Sequence, residues 1–98
     1  MRGNFDVAGI ILEVENIKSM YDLAGSSGEL AIVADRGADI CQEICNHSHC
    51  FDPDLLGEAE FYLQNYNATN DFFSLVKLSD DFAGICDYIA EYSSAIAI

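Results

Sequence analysis

Two helix-start signatures punctuate this chain and constrain how its apolar residues can be used. Asp52-Pro53-Asp54 supplies an aspartate N-cap, a proline at the first helical position and a second carboxylate facing the positive end of the helix dipole. Pro53 is the only proline present. Ser26-Ser27-Gly28-Glu29 has the capping-box arrangement: the Ser26 hydroxyl reaches the amide three residues on, and Glu29 reaches back to the Ser26 amide.

Apolar residues recur at three-and-four spacing after each signature. From Ser26 the stripe is Leu30, Val33, Gly37, Ile40 and Ile44, with Cys41 and Cys45 on its flank. Gly37 sits in the middle of that helix at a cost of up to about 1 kcal/mol relative to alanine, which points to close approach of a neighbouring helix. From Asp52 the stripe is Leu55, Leu56, Ala59, Tyr62, Leu63 and Tyr66, closed by the turn-rich run from Asn65 to Asn70.

Upstream, Met1 to Asn4 reads as a loose leader. Val7, Ile10, Ile11, Val14, Ile17 and Tyr21 then mark a first helix, capped by Asn4 or Asp6, continuing through Met20 and Leu23 and stopping at Gly25. The β-branched content of residues 7–14 also suits a short buried strand, and the run 72–78 carries the same ambiguity. Ser79 is expected to cap a final helix with the stripe Phe82, Ile85, Cys86, Ile89, Tyr92 and Ile96, before the apolar tail SSAIAI. The expected fold is all-α, a compact bundle of about four helices. At 98 residues, 51% of them hydrophobic, residues 1–98 make one domain, since two halves would each be too small to bury a core.

Charge narrows function more than any motif does. Seventeen acids oppose four Lys and Arg, giving −13 at pH 7. Residues 51–98 hold nine acids and one base, net −8, against −2 for residues 1–25 and −3 for residues 26–50. Such a chain repels nucleic acid and anionic membrane alike, and its expected partner is a basic protein surface such as that of a nucleic-acid-binding protein. Asp80, Asp87 and Glu91 fall on one face of the final helix, and Asp54 and Glu58 on one face of the third, with no basic residue between them. These five carboxylates are the expected partner-binding face. No secretory signal or apolar run of membrane-spanning length occurs, and four irregularly spaced cysteines suit reduced thiols, so a cytoplasmic protein is expected.

Cys45, His47, His49 and Cys50 form the other constellation, with Cys41 nearby. Four soft ligands could hold zinc, although the set lacks a Cys-x-x-Cys knuckle and a second ligand pair at a distance. A polar loop beside buried thiols is the plainer account. A nucleophilic cysteine needs a cationic neighbourhood that this chain lacks, and no glycine-rich phosphate loop is present, so an enzyme is not expected.

In size and charge the chain resembles the small acidic proteins that inhibit restriction, CRISPR and repair systems by imitating DNA. That likeness implies a non-enzymatic inhibitor whose carboxylate rows stand in for phosphates; it assigns no residue. A Cys/His metal-binding or redox-sensing module, and a structural helical protein dimerising through its SSAIAI tail, are the alternatives.

Overall fold

The computed structural model describes the backbone of residues 7–96 and the side chains of residues 7–91. Four α-helices follow one another: α1 (Val7–Leu23), α2 (Ser27–Asn46), α3 (Pro53–Ala68) and α4 (Phe72–Ile96), with a 3₁₀ turn, Ser48–Cys50, between α2 and α3. The protein is an all-α bundle. Among the described residues there is no strand, and both ambiguous runs, 7–14 and 72–78, are helical. The leader and its candidate caps Asn4 and Asp6 lie outside the described residues, as do the side chains of the SSAIAI tail.

The Asp52 cap forms as expected, and the Ser26 capping box forms only in its serine half. The Ser26 hydroxyl accepts from the Glu29 amide at 3.3 Å, and Asp52 Oδ1 accepts from the Leu55 amide at 2.8 Å. Glu29 reaches one residue further back than the capping-box rule places it, accepting from the Gly25 amide at 3.0 Å and from the Ser26 hydroxyl at 3.3 Å. Gly25 does not take the left-handed conformation of a glycine C-cap. Its amide is instead satisfied by that carboxylate.

The last helix begins earlier than its sequence suggests. Asp71 caps it, accepting from the Ser74 amide at 2.8 Å and the Ser74 hydroxyl at 3.0 Å. Ser79, read as an N-cap, lies buried in the helix interior, where its hydroxyl donates to the Val76 carbonyl at 2.6 Å. A serine hydroxyl satisfies itself locally in either setting, so the residue type does not distinguish them. Likewise α3 continues through most of the Asn65–Asn70 run. It ends where the Thr69 amide donates to the Tyr66 carbonyl and the Thr69 hydroxyl to the Asn65 carbonyl at 2.7 Å.

The helices run alternately up and down. Tyr21 meets Asp80 while Val14 meets Cys86, so α1 is antiparallel to α4. Tyr88 meets Asp52 while Phe82 meets Tyr62, so α3 is also antiparallel to α4. The diagonal pair, α2 and α4, makes the most extensive contact in the bundle, and α1 and α3 scarcely touch. A square bundle is thereby flattened into a diamond.

Gly37 is the cause. A Cβ placed on it would lie 2.6 Å from Phe82 Cγ, 2.7 Å from Phe82 Cδ1 and 3.0 Å from the Tyr62 hydroxyl. Phe82 therefore rests directly on the α2 backbone. Tyr62, edge-on to Phe82 with centroids 5.6 Å apart, donates its hydroxyl to the Ala34 carbonyl at 2.7 Å. Val33, Ile40, Cys41, Ile44, Leu55, Ile85 and Ile89 continue the core around this junction, and Ile10, Val14 and Ile17 bring α1 to it. Cys41, expected on the flank of α2, is fully buried. The stripe of α1 runs on to Tyr21, half-buried against the core, whereas Met20 is exposed and Leu23 stays 82% exposed.

Gly37→Ala is expected to lower the melting temperature by about 5 °C or more, overpacking of roughly 1–3 kcal/mol outweighing a helix gain of up to about 1 kcal/mol. The loss should shrink in a Phe82→Leu background. Equal losses in both backgrounds would remove Phe82 as the cause.

The buried protons give a second expectation. Burial pushes the Cys86 thiol from 9.0 up to about 12, and pushes the Cys41 thiol and the Tyr62 hydroxyl up as well. The unfolded thiol loses its proton near pH 9 while the folded one keeps it, so this stabilisation is complete below pH 9 and falls as pH rises toward 12. Thermal melts from pH 7 upward should show an alkaline decline that Cys86→Ala makes shallower; parallel declines would contradict it.

Candidate functional site

Placed on the bundle, the five carboxylates read from sequence divide between two neighbouring settings. Asp54 and Glu58 stand exposed on the first two turns of α3, and with Pro53, Gly57, Phe61 and Tyr88 they line an open depression between α3 and α4. A second, narrower hollow continues it and is lined by Glu58, Phe61, Tyr62, Asn65, Asp81 and Ile85. Together they form one groove. Its lining combines the carboxylates of Asp54, Glu58 and Asp81 with the rings of Phe61 and Tyr88, and Ile85 lies buried beneath it.

Asp80, Asp87 and Glu91 follow the outer ridge of α4, all exposed. This ridge is less uniform than the sequence implies. Asp80 accepts a hydrogen bond from the Tyr21 hydroxyl, which raises the Tyr21 pKa, and Lys18 of α1 stands 3.8 Å from Asp87. Lys18 also lies 3.4 Å from Asp22, and the hydrogen bond to Asp22 is the main cause of its raised pKa. One cation from the first half of the chain thus reaches the ridge.

Among the described residues the ion pairs are those of Lys18 with Asp22 and Asp87 and of His47, when protonated, with Glu43. Asp54, Glu58, Asp81 and Glu91 have no cation within ion-pair distance there. Lys77, the only base of the second half, holds its ammonium over the Phe73 ring, 5.8 Å from the centroid.

Tyr88 fixes the upper end of the groove. Its hydroxyl donates to Asp52 Oδ1 at 3.2 Å, the same oxygen that caps α3, so the groove wall and the helix start are tied together. Loss of water around Tyr88, and then the Asp52 carboxylate, raise its pKa. Phe61 is 62% exposed on the opposite wall. A large exposed aromatic among unpaired carboxylates has the composition of an interface core with a charged rim.

Sequence reasoning missed four parts of this groove: Asp81, Phe61, Tyr88 and Gly57. Asp81 is one residue from the ridge it was not assigned to, and helix geometry turns it toward α3. Phe61 lies outside the apolar stripe of α3, and that was the available signal. Gly57, with Gly84 on the α4 ridge, has open space where a Cβ would go, nothing lying within 4 Å of it. A helix-interior glycine is roughly 1 kcal/mol worse than alanine, so neither is explained by packing inside the chain.

The cysteine and histidine residues lie elsewhere, around the end of α2. His47 terminates α2, its Nδ1 lying 3.1 Å from the Glu43 carbonyl and 3.6 Å from the Glu43 carboxylate. Cys45 and Cys50 are half-buried and His49 is exposed. Among the described residues no three His, Cys, Asp or Glu side chains converge as a metal-holding group. Burial, and then Glu60, raise the Cys45 pKa. Among the described residues no helix is long and apolar enough to cross a membrane.

No family model, no curated protein and no solved structure matches the chain.

Iodoacetamide at neutral pH is expected to modify Cys45 and Cys50 well before Cys41 and Cys86, because the last two are buried and their thiolates strongly disfavoured. Peptide mapping by mass spectrometry reads the order. Early modification of Cys86 would overturn this account of the core.

Proposed function

We propose that the protein is a non-enzymatic binding protein that docks its α3–α4 face onto a basic protein surface, and that it inhibits a nucleic-acid-binding partner by occupying the groove meant for a phosphate backbone. The observation that carries this reading is the set of carboxylates without cations, Asp54, Glu58, Asp81 and Glu91, beside exposed Phe61. Elsewhere Lys18 offsets Asp22 and Asp87. Among the described residues no cation stands within ion-pair distance of the four.

Helix geometry puts a scale on the likeness to nucleic acid. Asp80 to Glu91 spans roughly 17 Å at 1.5 Å per residue, and over that length the two helices offer four carboxylates with no cation within ion-pair distance among the described residues: Asp54, Glu58, Asp81 and Glu91. Duplex DNA carries about ten phosphates over the same distance. The face thus has somewhat under half the charge density of DNA. Steering toward a basic groove follows, because association rates respond to the summed field of the face. Tight retention needs more than charge, and Phe61 with Tyr88 supplies an apolar surface along which the stems of lysine and arginine side chains can lie. Carboxylates offer no base edges, so such an inhibitor blocks binding without regard to sequence.

Immobilised full-length chain is expected to retain a basic partner at low salt and release it by about 0.5 M, where the Debye length has fallen to roughly 4 Å. Random-sequence duplex DNA should compete for that partner. Replacing Asp54, Glu58, Asp81 and Glu91 with serine should weaken retention while leaving the melting temperature unchanged or higher. A partner held equally at 0.5 M salt and indifferent to DNA would sink the reading.

A further inference from the structure

The outer face of α1 has the opposite character to the α3–α4 groove. Leu12, Asn16, Ser19, Met20 and Leu23 turn away from the core residues Val14, Ile17 and Tyr21 of the same helix, and all five are exposed. Leu23 is 82% exposed and Leu12 60%. None of the five is charged. The charges of α1 stand to either side of this arc, and on one side Lys18 turns to α4, where it reaches Asp87. Other outer faces mix in acids: α3 sets Phe61 beside Asp54 and Glu58, and α2 shows Asp35 and Asp39. A helix with apolar residues on two faces is one that is covered on both, and within the chain only one face of α1 is buried.

We infer that the outer face of α1 is the contact between two copies of this chain, paired α1 against α1 about a two-fold axis. Charge selects the occupant. Across a two-fold axis a residue near the axis meets its own copy, so a carboxylate there would face a carboxylate. Leu12 to Leu23 spans roughly 17 Å at 1.5 Å per residue, and in a chain of net charge −13 a strip of that length clear of acids is what self-pairing requires. A basic partner is met by carboxylates and an acidic one by lysine or arginine; this strip presents neither. Its polar members, Asn16 and Ser19, each both donate and accept hydrogen bonds and so can pair with their own copies, as a carboxylate cannot. An anionic lipid surface would be repelled by the chain as a whole. Since α1 and α3 lie on opposite flanks of α2 and α4, pairing through α1 also keeps the two acidic grooves apart. The inference is independent of what that groove binds.

Sedimentation velocity on the full chain, from about 2 to about 200 µM, reads the pairing. A strip one helix wide falls short of the roughly 800 Å² per partner of a standard interface, so the chain should be monomeric at the lower end of that range and largely dimeric at the upper. Raising salt from about 0.05 to about 0.5 M should tighten the pairing at least about fivefold, because screening relieves the repulsion between two chains of −13, whereas binding through the acidic groove weakens. Leu12→Gln/Leu23→Gln, which keeps the charge, and Asn16→Asp, which sets one carboxylate against its copy, should each weaken pairing about tenfold or more. All three side chains are exposed, so the melting temperature of the dilute variants should match that of the dilute wild type. Phe73→Gln, at an exposed ring on α4, should leave pairing as it is. A monomer at every concentration would overturn the inference. So would pairing that survives both α1 variants, is lost equally in Phe73→Gln or weakens with salt. A lowered melting temperature in the dilute α1 variants would return the face to the fold and overturn it as well.

Discussion

The contact of Phe82 with the backbone of α2 at Gly37 governs the shape of this protein. In a four-helix bundle the diagonal helices are ordinarily separated by the core that all four share. Here one ring fills the space where a side chain of α2 would be, and the diagonal pair α2 and α4 becomes the most closely joined pair in the bundle. Tyr62 locks α3 to the same point through its edge-on contact with Phe82 and its hydrogen bond to the Ala34 carbonyl. Three helices therefore meet at one glycine. The first helix and α3 are left on opposite flanks, each seated along a seam of the central pair.

That arrangement decides what the surface looks like. On the α1 flank, Tyr21 and Lys18 lean over the seam to reach Asp80 and Asp87. On the α3 flank Tyr88 reaches Asp52, but among the described residues no cation does the same for Asp54, Glu58 or Asp81; the second half of the chain holds a single lysine, and that lysine lies against Phe73. The seam between α3 and α4 is consequently an open groove with acidic walls and Phe61 exposed on one of them. Nothing about this charge threatens the fold. Like charges one turn apart on an exposed helix cost about 0.2–0.5 kcal/mol per pair, whereas a core aromatic such as Phe82 is worth roughly 3–5 kcal/mol when truncated. The core fixes the structure and leaves the composition of the outer faces free to serve association.

Local signals were legible in the sequence because they act within a single helical turn. The caps at Ser26 and Asp52, the proline at the start of α3 and the core positions Val33, Ile40, Ile44, Leu55, Ala59, Tyr62, Phe82, Ile85 and Ile89 all follow from residue type and spacing, and each is where it was expected. The close approach at Gly37 was legible as a fact, though not as to its partner. Errors fell where one residue type serves two local structures. Ser79 bonds to its own backbone as readily inside a helix as at its start. The run 72–78 stays open in the sequence between helix and strand, because β-branched or aromatic runs take whichever form buries them. Leu78 is buried against the core, and that tertiary contact holds the run as helix.

The sequence by itself determined that this chain is helical, where two of its four helices begin, and that its second half is strongly acidic, since these depend on the residues and their near neighbours alone. Only the tertiary structure decided which helices touch, which carboxylates Lys18 and Tyr21 could reach, and that Asp54, Glu58 and Asp81 share a groove with Phe61 and Tyr88. Those relations join residues up to several tens of positions apart. They are set by how Phe82 and Tyr62 pack on Gly37, a constraint that acts through space and leaves no periodicity along the chain.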